Sequence, residues 1–215
     1  MSSSNLVRWS GGALLLAGIL IAVPVLFHPD DVAHPETVLT TTWAVVHGFF
    51  ATGAVLALVG LTGLYARQAE EAGKAGLVGF VLTFIGTALF VAGLVLEAFV
   101  VPVIAAEAPE LLDPSGPLLG GPLGIVFLLA GATFALGAIL LGIATVRAGV
   151  LPRLSALPFM VGAPLLAFWP PLPYLVGVTG GVLVGIGFAW MGYALFSGEH
   201  VVRSQHSGKS EPMHT

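Results

Sequence analysis

The chain contains no cysteine and few charged residues, and both absences restrict what it can be. Without cysteine it has no disulfide scaffold, cysteine-based zinc site, iron–sulfur cluster, c-type haem attachment or thiol nucleophile. Charged residues make up 8% of the 215 residues and hydrophobic residues 57%, whereas soluble domains carry about 25% charged residues. So few charges could not cover the surface of a soluble fold. The composition therefore predicts a polytopic membrane protein with the lipid bilayer as a partner.

Further absences narrow the functional classes. The sequence shows no phosphate-binding glycine loop, no Ser/His/Asp constellation and no basic patch, so nucleic acid is not an expected partner. It also has no long polar segment that could form a separate catalytic domain. Whatever the protein does, we expect it to act in or at the membrane.

Six long apolar runs predict an all-α membrane bundle with six transmembrane helices. The runs cover residues 11–27, 41–65, 76–101, 118–146, 154–169 and 172–196. A bilayer core of roughly 30 Å needs about 20 helical residues, which most of the runs supply. The fifth run is short and contains Pro158, Gly162 and Pro164, which predicts a kinked or broken helix. The first run is interpreted as a retained helix, because no small-residue cleavage site precedes the polar loop.

The basic residues sort onto one side of the predicted membrane. They precede the first run or follow the second, fourth and sixth, at Arg8, Arg67, Lys74, Arg147, Arg153, Arg203 and Lys209. The positive-inside rule then places both termini in the cytoplasm, and we expect the inner (plasma) membrane. Residues 1–196 are predicted to form one transmembrane domain. Residues 197–215 are predicted to be a disordered cytoplasmic tail, with loosely spaced histidines suited only to weak metal binding: His200, His206 and His214.

Glycines recur at fixed spacing in two of the runs. The spacing is four residues in the sixth run and seven in the third, at Gly177, Gly181 and Gly185 and at Gly79, Gly86 and Gly93. Small residues at such spacing let membrane helices approach closely. The stripes indicate helix packing, and they offer a surface for a homo-oligomer or a membrane-complex partner.

Two ionisable side chains, His47 and Glu97, lie well inside the apolar runs. At about 1.5 Å per residue, each is roughly 7–9 Å below the same face of the membrane. Both are expected to point into the bundle, because His47 shares its face with small residues and Glu97 follows Gly93 by four positions. An ionisable group in hydrocarbon costs at least ~2.5–3.5 kcal/mol, so it usually has a partner. We therefore predict a His47–Glu97 contact, either as a structural hydrogen bond or as a ligand, proton or metal site.

The stretch FHPDDVAHPETVLTTTWAVVHG places further candidates near this pair. His28 follows the first run and is predicted to cap the pocket, and Trp43 lies one turn from His47. His28, His47 and Glu97 together match the ligand types of a non-haem iron or zinc site, and His28 with His47 could be axial haem ligands. No metal-motif spacing joins these residues. His34 and the loop carboxylates are interpreted as solvated.

Four segments occur in a characteristic order: FHPDD, TTTWAVVHGFF, GLTGLYARQAE and LEAFVVPVIAAEAPELL. In this arrangement the chain resembles a loosely defined group of small bacterial six-helix membrane proteins without assigned function. The resemblance covers residues 20 to 112 and implies the same fold but no activity. The sequence has no counterpart of the nucleophile motif of rhomboid proteases or of the retinal lysine of microbial rhodopsins, which argues against membership of either family.

Three functional hypotheses remain. The first is a membrane protein whose outward-facing His47–Glu97 pocket, with His28 and Trp43, binds or passes a small molecule or proton. An interrupted fifth helix favours it, since broken helices often mark transport sites. The second is a metal- or haem-dependent membrane enzyme that uses His28, His47 and Glu97. The third is a structural accessory subunit that packs through its glycine stripes.

Overall fold

The structure is a computed structural model that describes residues 3–116, 118–169 and 172–198, and all regular structure in these ranges is helical. The α-helices are α1 (Ser3–Ala22), α2 (Thr41–Phe99), α3 (Val101–Glu107), α4 (Pro122–Ala148), α5 (Leu157–Ala167) and α6 (Tyr174–Ser197). Short 3₁₀ helices cover Pro24–Phe27, Pro35–Leu39, Pro109–Leu112 and Arg153–Ala156. Within the described residues, four helices are long and apolar enough to cross a membrane: the helix Asn5–Phe27, then α2, α4 and α6. The predicted all-α class and the membrane-protein composition are both confirmed at this level.

Helix α2 is a hairpin rather than a straight rod. Its 59 residues contain one non-helical residue, Gly73, with φ 59° and ψ −161°. The two arms, residues 41–72 and 74–99, lie side by side, since the rings of Tyr65 and Phe80 stack with centroids 4.7 Å apart. The second and third predicted helices correspond to these arms. Residues 66–72, which are polar and mostly helix formers, continue the first arm, and the chain reverses at a single glycine.

The helix bounds differ from the apolar runs at several other points. Helix α1 begins eight residues before its apolar run and ends ahead of Pro24, whose ring cannot continue an α-helix. The fifth run forms a 3₁₀ turn and then α5, which has 11 residues and contains Pro164. The run is therefore divided into a 3₁₀ turn and a short α-helix, but this α-helix is continuous through Pro158, Gly162 and Pro164, where the kink or break is predicted. The start of the predicted tail is wrong by one residue, because Ser197 still belongs to α6; residues 199–215, with their three histidines, lie outside the described ranges.

The glycine stripes pack helices of this chain against one another. A Cβ atom added to Gly185 in α6 would lie 2.5 Å from the Ala22 side chain, and one added to Gly86 would lie 2.5 Å from the backbone nitrogen of Phe134 in α4. These distances are too short for any larger residue, so the backbones touch. The contacts bring α6 against α1 and the second arm of α2 against α4. Large buried side chains from α1, the first arm of α2, α4, α5 and α6 fill the centre: Leu14, Leu61, Leu141, Phe159 and Phe188.

Candidate functional site

Five rings meet at the end of the bundle where α2 begins and ends. His28, Trp43, His47, Phe50 and Trp169 form this group, which we call the histidine cluster. The centroids of His28 and His47 are 5.0 Å apart, and the rings meet edge to face. Separations of 4.5–7 Å are those of aromatic rings in direct contact. The two histidines are therefore neighbours, although 18 positions separate them in the sequence.

His47 is held by the helix that carries it. Its Nδ1 lies 2.9 Å from the carbonyl oxygen of Trp43, one turn earlier in α2. A carbonyl only accepts, so Nδ1 must carry the proton and donate it. The remaining ring nitrogen, Nε2, then keeps its lone pair. The ring is buried, with 4% of its surface exposed, and the indole of Trp43 lies against it at 4.1 Å between centroids.

His28 is held in the same manner from the segment that follows the first span. Its Nδ1 donates to the carbonyl of Pro29 at 2.7 Å, which fixes the same tautomer as in His47. The ring of Trp169 lies 4.6 Å away between centroids. Burial lowers the pKa of His28, while the Pro29 carbonyl and the carboxylates of Asp31 and Asp30 act in the opposite direction. Because burial dominates, the neutral imidazole is favoured.

Two hydrogen bonds to backbone carbonyls join other helices to the cluster. The Tyr174 hydroxyl, at the start of α6, donates to the carbonyl of His28. The Trp43 indole donates Nε1–H to the carbonyl of Glu97 at 2.7 Å. The backbones of His28 and Glu97 are thus each held by an aromatic donor from another helical segment. These contacts fix where α6 and the second arm of α2 meet the cluster.

Glu97 lies beside the cluster, but its carboxylate does not bind His47. Among the described residues, no ion pair or hydrogen bond joins the side chains of Glu97 and His47. Trp43 bonds to the main chain of Glu97 instead. The predicted direct contact between the two side chains is therefore not formed, and the imidazole donates Nδ1–H to its own helix instead. Their matching depth in a membrane stays a prediction.

The described residues do not assemble the predicted metal site. They contain no group of three or more His, Cys, Asp and Glu side chains that could hold a metal ion, so His28, His47 and Glu97 do not form a ligand set. The two imidazoles also touch each other edge to face, which leaves no space for a porphyrin between them. The geometry therefore does not fit a bis-histidine haem.

The structure adds members that the sequence did not reveal. Phe50, Trp169 and Tyr174 are not among the candidates that the sequence offers. The ring centroids of Trp169 and Tyr174 are 5.9 Å apart, and Trp169 contacts His28. Only their position at the ends of two apolar runs could have hinted at this role. His34, in contrast, is exposed over 65% of its side chain, as its interpretation as solvated requires.

A second buried polar pair lies toward the other end of the bundle. Gln68 in α2 is fully buried, and its Nε2 donates to the hydroxyl of Thr145 in α4 at 2.9 Å. That hydroxyl donates in turn to the Leu141 carbonyl. The amide oxygen of Gln68 is left without a partner among the described residues. The sequence missed this pair, because Gln68 lies beyond the end of its apolar run.

Comparison with protein families, with curated proteins and with solved structures finds no significant match to this chain. The resemblance to small six-helix membrane proteins therefore stays a prediction. In its described residues the structure is all-helical, with four helices fit to span a membrane. The histidine cluster brings together the two buried histidines of these residues, His28 and His47.

Proposed function

We propose that the protein is an integral membrane protein of the inner (plasma) membrane that crosses the bilayer six times, with both termini in the cytoplasm. The two arms of α2 count as two crossings, and the broken segment Arg153–Ala167 counts as a short fifth one. The distribution of basic residues supports this orientation. The histidine cluster then lies at the outer face.

In this proposal the histidine cluster, with Glu97 beside it, binds or passes a small molecule or a proton. The observation that supports it is the shared tautomer of His28 and His47. Each ring donates Nδ1–H to a backbone carbonyl, so each keeps a basic Nε2 with no hydrogen-bond partner among the described residues. The one enclosed side-chain polar atom without a partner in the described residues is the Gln68 amide oxygen, so the two Nε2 atoms are not sealed off from a ligand, and a neutral imidazole can take up a proton there. Two such atoms in adjacent rings favour a shared ligand.

Of these ligands, the proton fits the packing best. The rings of the cluster already touch, with centroids 4.1 to 5.4 Å apart for the Trp43–His47 and Trp43–His28 pairs, so a bulky guest would have to separate them. A proton needs no space. The imidazolium it creates would face the indoles of Trp43 and Trp169, which attract cations through their ring faces. The carboxylates of Asp30 and Asp31 would act in the same direction.

Proton flux into vesicles tests the proposal. The purified protein is reconstituted with a trapped pH-sensitive dye, and a potassium gradient with valinomycin drives protons inward. We expect flux above that of protein-free vesicles, lost in His28→Phe and in His47→Phe. The matched control is His34→Ala, which removes an exposed loop histidine and should keep the wild-type rate.

Imidazole ¹⁵N NMR separates binding from passage. We expect His28 and His47 to show the Nδ1–H tautomer and to take up a proton at Nε2 only below the ordinary imidazole value of 6.5, because burial lowers the pKa of His28. Titration without flux would identify a proton-binding site that does not conduct. A wild-type protein that neither conducts protons nor titrates at these two histidines would overturn the proton as ligand.

A further inference from the structure

An apolar groove lies on the outside of the bundle, against the segment that carries the histidine cluster. Its volume is about 400 Å³, within the range of ligand pockets. It runs between the 3₁₀ turn after α1 and the first turns of α2. Its lining is apolar except for two threonines at one end: Val23, Pro24, Phe27, Thr41, Thr42, Val45, Val46 and Phe49.

The groove and the histidine cluster lie on opposite sides of the same two chain segments, the turn after α1 and the start of α2. Four lining residues each directly precede a member of the cluster. Phe27, Thr42, Val46 and Phe49 precede His28, Trp43, His47 and Phe50, respectively. Adjacent residues on a helix or an extended segment point in different directions, so one faces the groove and the next faces the cluster. Val46 also packs in a small buried core with Val25 and Phe50. Whatever fills the groove therefore touches the backbone that positions both histidines.

The groove opens toward the side of the bundle, where lipid would surround it. Val23, Phe27, Val45 and Phe49 are between 46% and 67% exposed, which marks a surface that needs an apolar cover. We propose that one acyl chain of an outer-leaflet lipid occupies this groove, with the headgroup near Thr41 and Thr42. The inference requires that the chain spans the membrane, but it does not depend on what the histidine cluster binds.

Charge selects the class of lipid. The loop above the groove carries Asp30, Asp31 and Glu36, and no Lys or Arg occurs between Arg8 and Arg67. An anionic headgroup would meet only like charge there, which is unfavourable. A headgroup with an ammonium group, such as that of phosphatidylethanolamine, would meet carboxylates. The bound lipid is therefore zwitterionic, with an ammonium headgroup.

Native mass spectrometry with a blocked groove tests this inference. Val45→Trp fills the groove from α2, and Val59→Trp is the matched control. Both valines are about half exposed on the first arm of α2, at 49% and 50%. They lie 14 residues apart, which is close to four helical turns. The proteins are purified from vesicles of equal parts phosphatidylethanolamine and phosphatidylglycerol. We expect one retained phosphatidylethanolamine in the wild type and in Val59→Trp, and a loss of about tenfold or more in occupancy in Val45→Trp.

A second variant guards against misfolding of the first. Val23→Phe fills the groove from the opposite wall at a half-exposed position, and it should lose the lipid while keeping the wild-type elution volume and helical circular dichroism. Equal lipid retention by Val45→Trp and Val59→Trp would overturn the site. Preferred retention of phosphatidylglycerol would overturn the assigned lipid class. No retained lipid in the wild type would show that the groove holds only exchanging bilayer lipid, which also refutes the inference.

Discussion

The Trp43 indole donates Nε1–H to the backbone carbonyl of Glu97 at 2.7 Å, across 54 positions of sequence. Both residues belong to α2, one in its first turn and the other in its last. Carbonyls in the last turn of a helix lack a partner within the helix, so the indole satisfies an acceptor that would otherwise be unpaired. This one bond closes the hairpin at the end opposite Gly73. It also places Glu97 beside His47 without any contact between their side chains.

Replacing Trp43 by Phe should destabilise the protein by about 1 kcal/mol, because the partly buried carbonyl of Glu97 loses its donor. The ring itself is retained, so packing in the histidine cluster changes little. Equilibrium unfolding in mixed detergent measures the free energy of unfolding. The control is Trp190→Phe, since Trp190 is 39% exposed and lies near the other end of α6. Equal stability of the two variants would show that the indole bond contributes nothing.

Part of the site could be predicted from composition and depth. His47 and Glu97 stand out because ionisable residues are rare in apolar runs, and helical rise alone sets them at one level. His28 follows from its place after the first run. What could not be predicted is which atoms meet. The choice of His47 to donate to its own helix depends on a side-chain rotamer, which no spacing in the sequence specifies.

The turn in α2 shows a second feature that the sequence alone could not predict. Hydropathy indicates two helices with a polar loop, because residues 66–75 contain charges. The structure keeps these residues helical and reverses at Gly73, since only glycine adopts φ 59° readily. The positions of Trp169 and Tyr174 in the site are likewise not specified by residue type. Their contacts with His28 depend on how α5 and α6 pack, which is a property of the whole bundle.

Replacing Gly73 by Ala should destabilise the hairpin by roughly 1–3 kcal/mol, because φ 59° with ψ −161° is strained for any other residue. A Cβ atom there would meet nothing within 4 Å, so the effect comes from the backbone alone. Gly48→Ala is the matched control, because Gly48 is helical and its Cβ position is equally open. That change should be neutral or stabilise by up to about 1 kcal/mol. Thermal unfolding of both variants measures the contrast, and a Gly73→Ala variant as stable as Gly48→Ala would contradict it.

Replacing Gln68 by Met should leave stability unchanged or raise it. The substitution removes a buried amide oxygen that has no partner among the described residues, and the Thr145 hydroxyl that remains still donates to the Leu141 carbonyl. Thr145→Val should instead destabilise by about 1–3 kcal/mol, because it leaves the whole Gln68 amide unpaired. The double variant tests the coupling. Independent, additive effects on the unfolding midpoint would argue against the Gln68–Thr145 bond.

Stability should fall as the pH is lowered below about 6.5, and His28 should cause part of this fall. Burial lowers the pKa of His28 from its ordinary value of 6.5. Between the lowered pKa and 6.5 the unfolded chain therefore binds more protons than the folded protein, which favours unfolding. Above that window His28 contributes no pH dependence.

The change in unfolding midpoint between neutral and acidic pH measures this effect in His28→Phe and in the wild type. The variant should lose less stability on acidification, whatever its absolute stability. The groups near His28 that also titrate are Asp30, Asp31, His47 and Tyr174, and all of them remain in the variant. His34→Ala should keep the wild-type dependence. An unchanged response in His28→Phe would show that its burial has no energetic consequence.

The hairpin in α2 makes a sharp prediction about membrane topology. If its two arms cross the membrane separately, residues 33 and 106 lie on one side and residue 75 on the other. If α2 crosses as one unit, residues 33 and 106 lie on opposite sides. The chain has no cysteine, so single cysteines can be placed without background at three exposed positions: Ala33→Cys, Ala75→Cys and Ala106→Cys.

Labelling intact cells with a membrane-impermeant maleimide distinguishes the two topologies. We expect Ala33→Cys and Ala106→Cys to react from outside, and Ala75→Cys to react only after the membrane is made permeable. Lys74 beside this position is expected to face the cytoplasm by the positive-inside rule. Labelling of Ala75→Cys in intact cells, or protection of Ala106→Cys while Ala33→Cys reacts, would contradict six crossings. In the second case Glu97 could not share the outer face with His28, and the proposed site would have to be abandoned along with the topology.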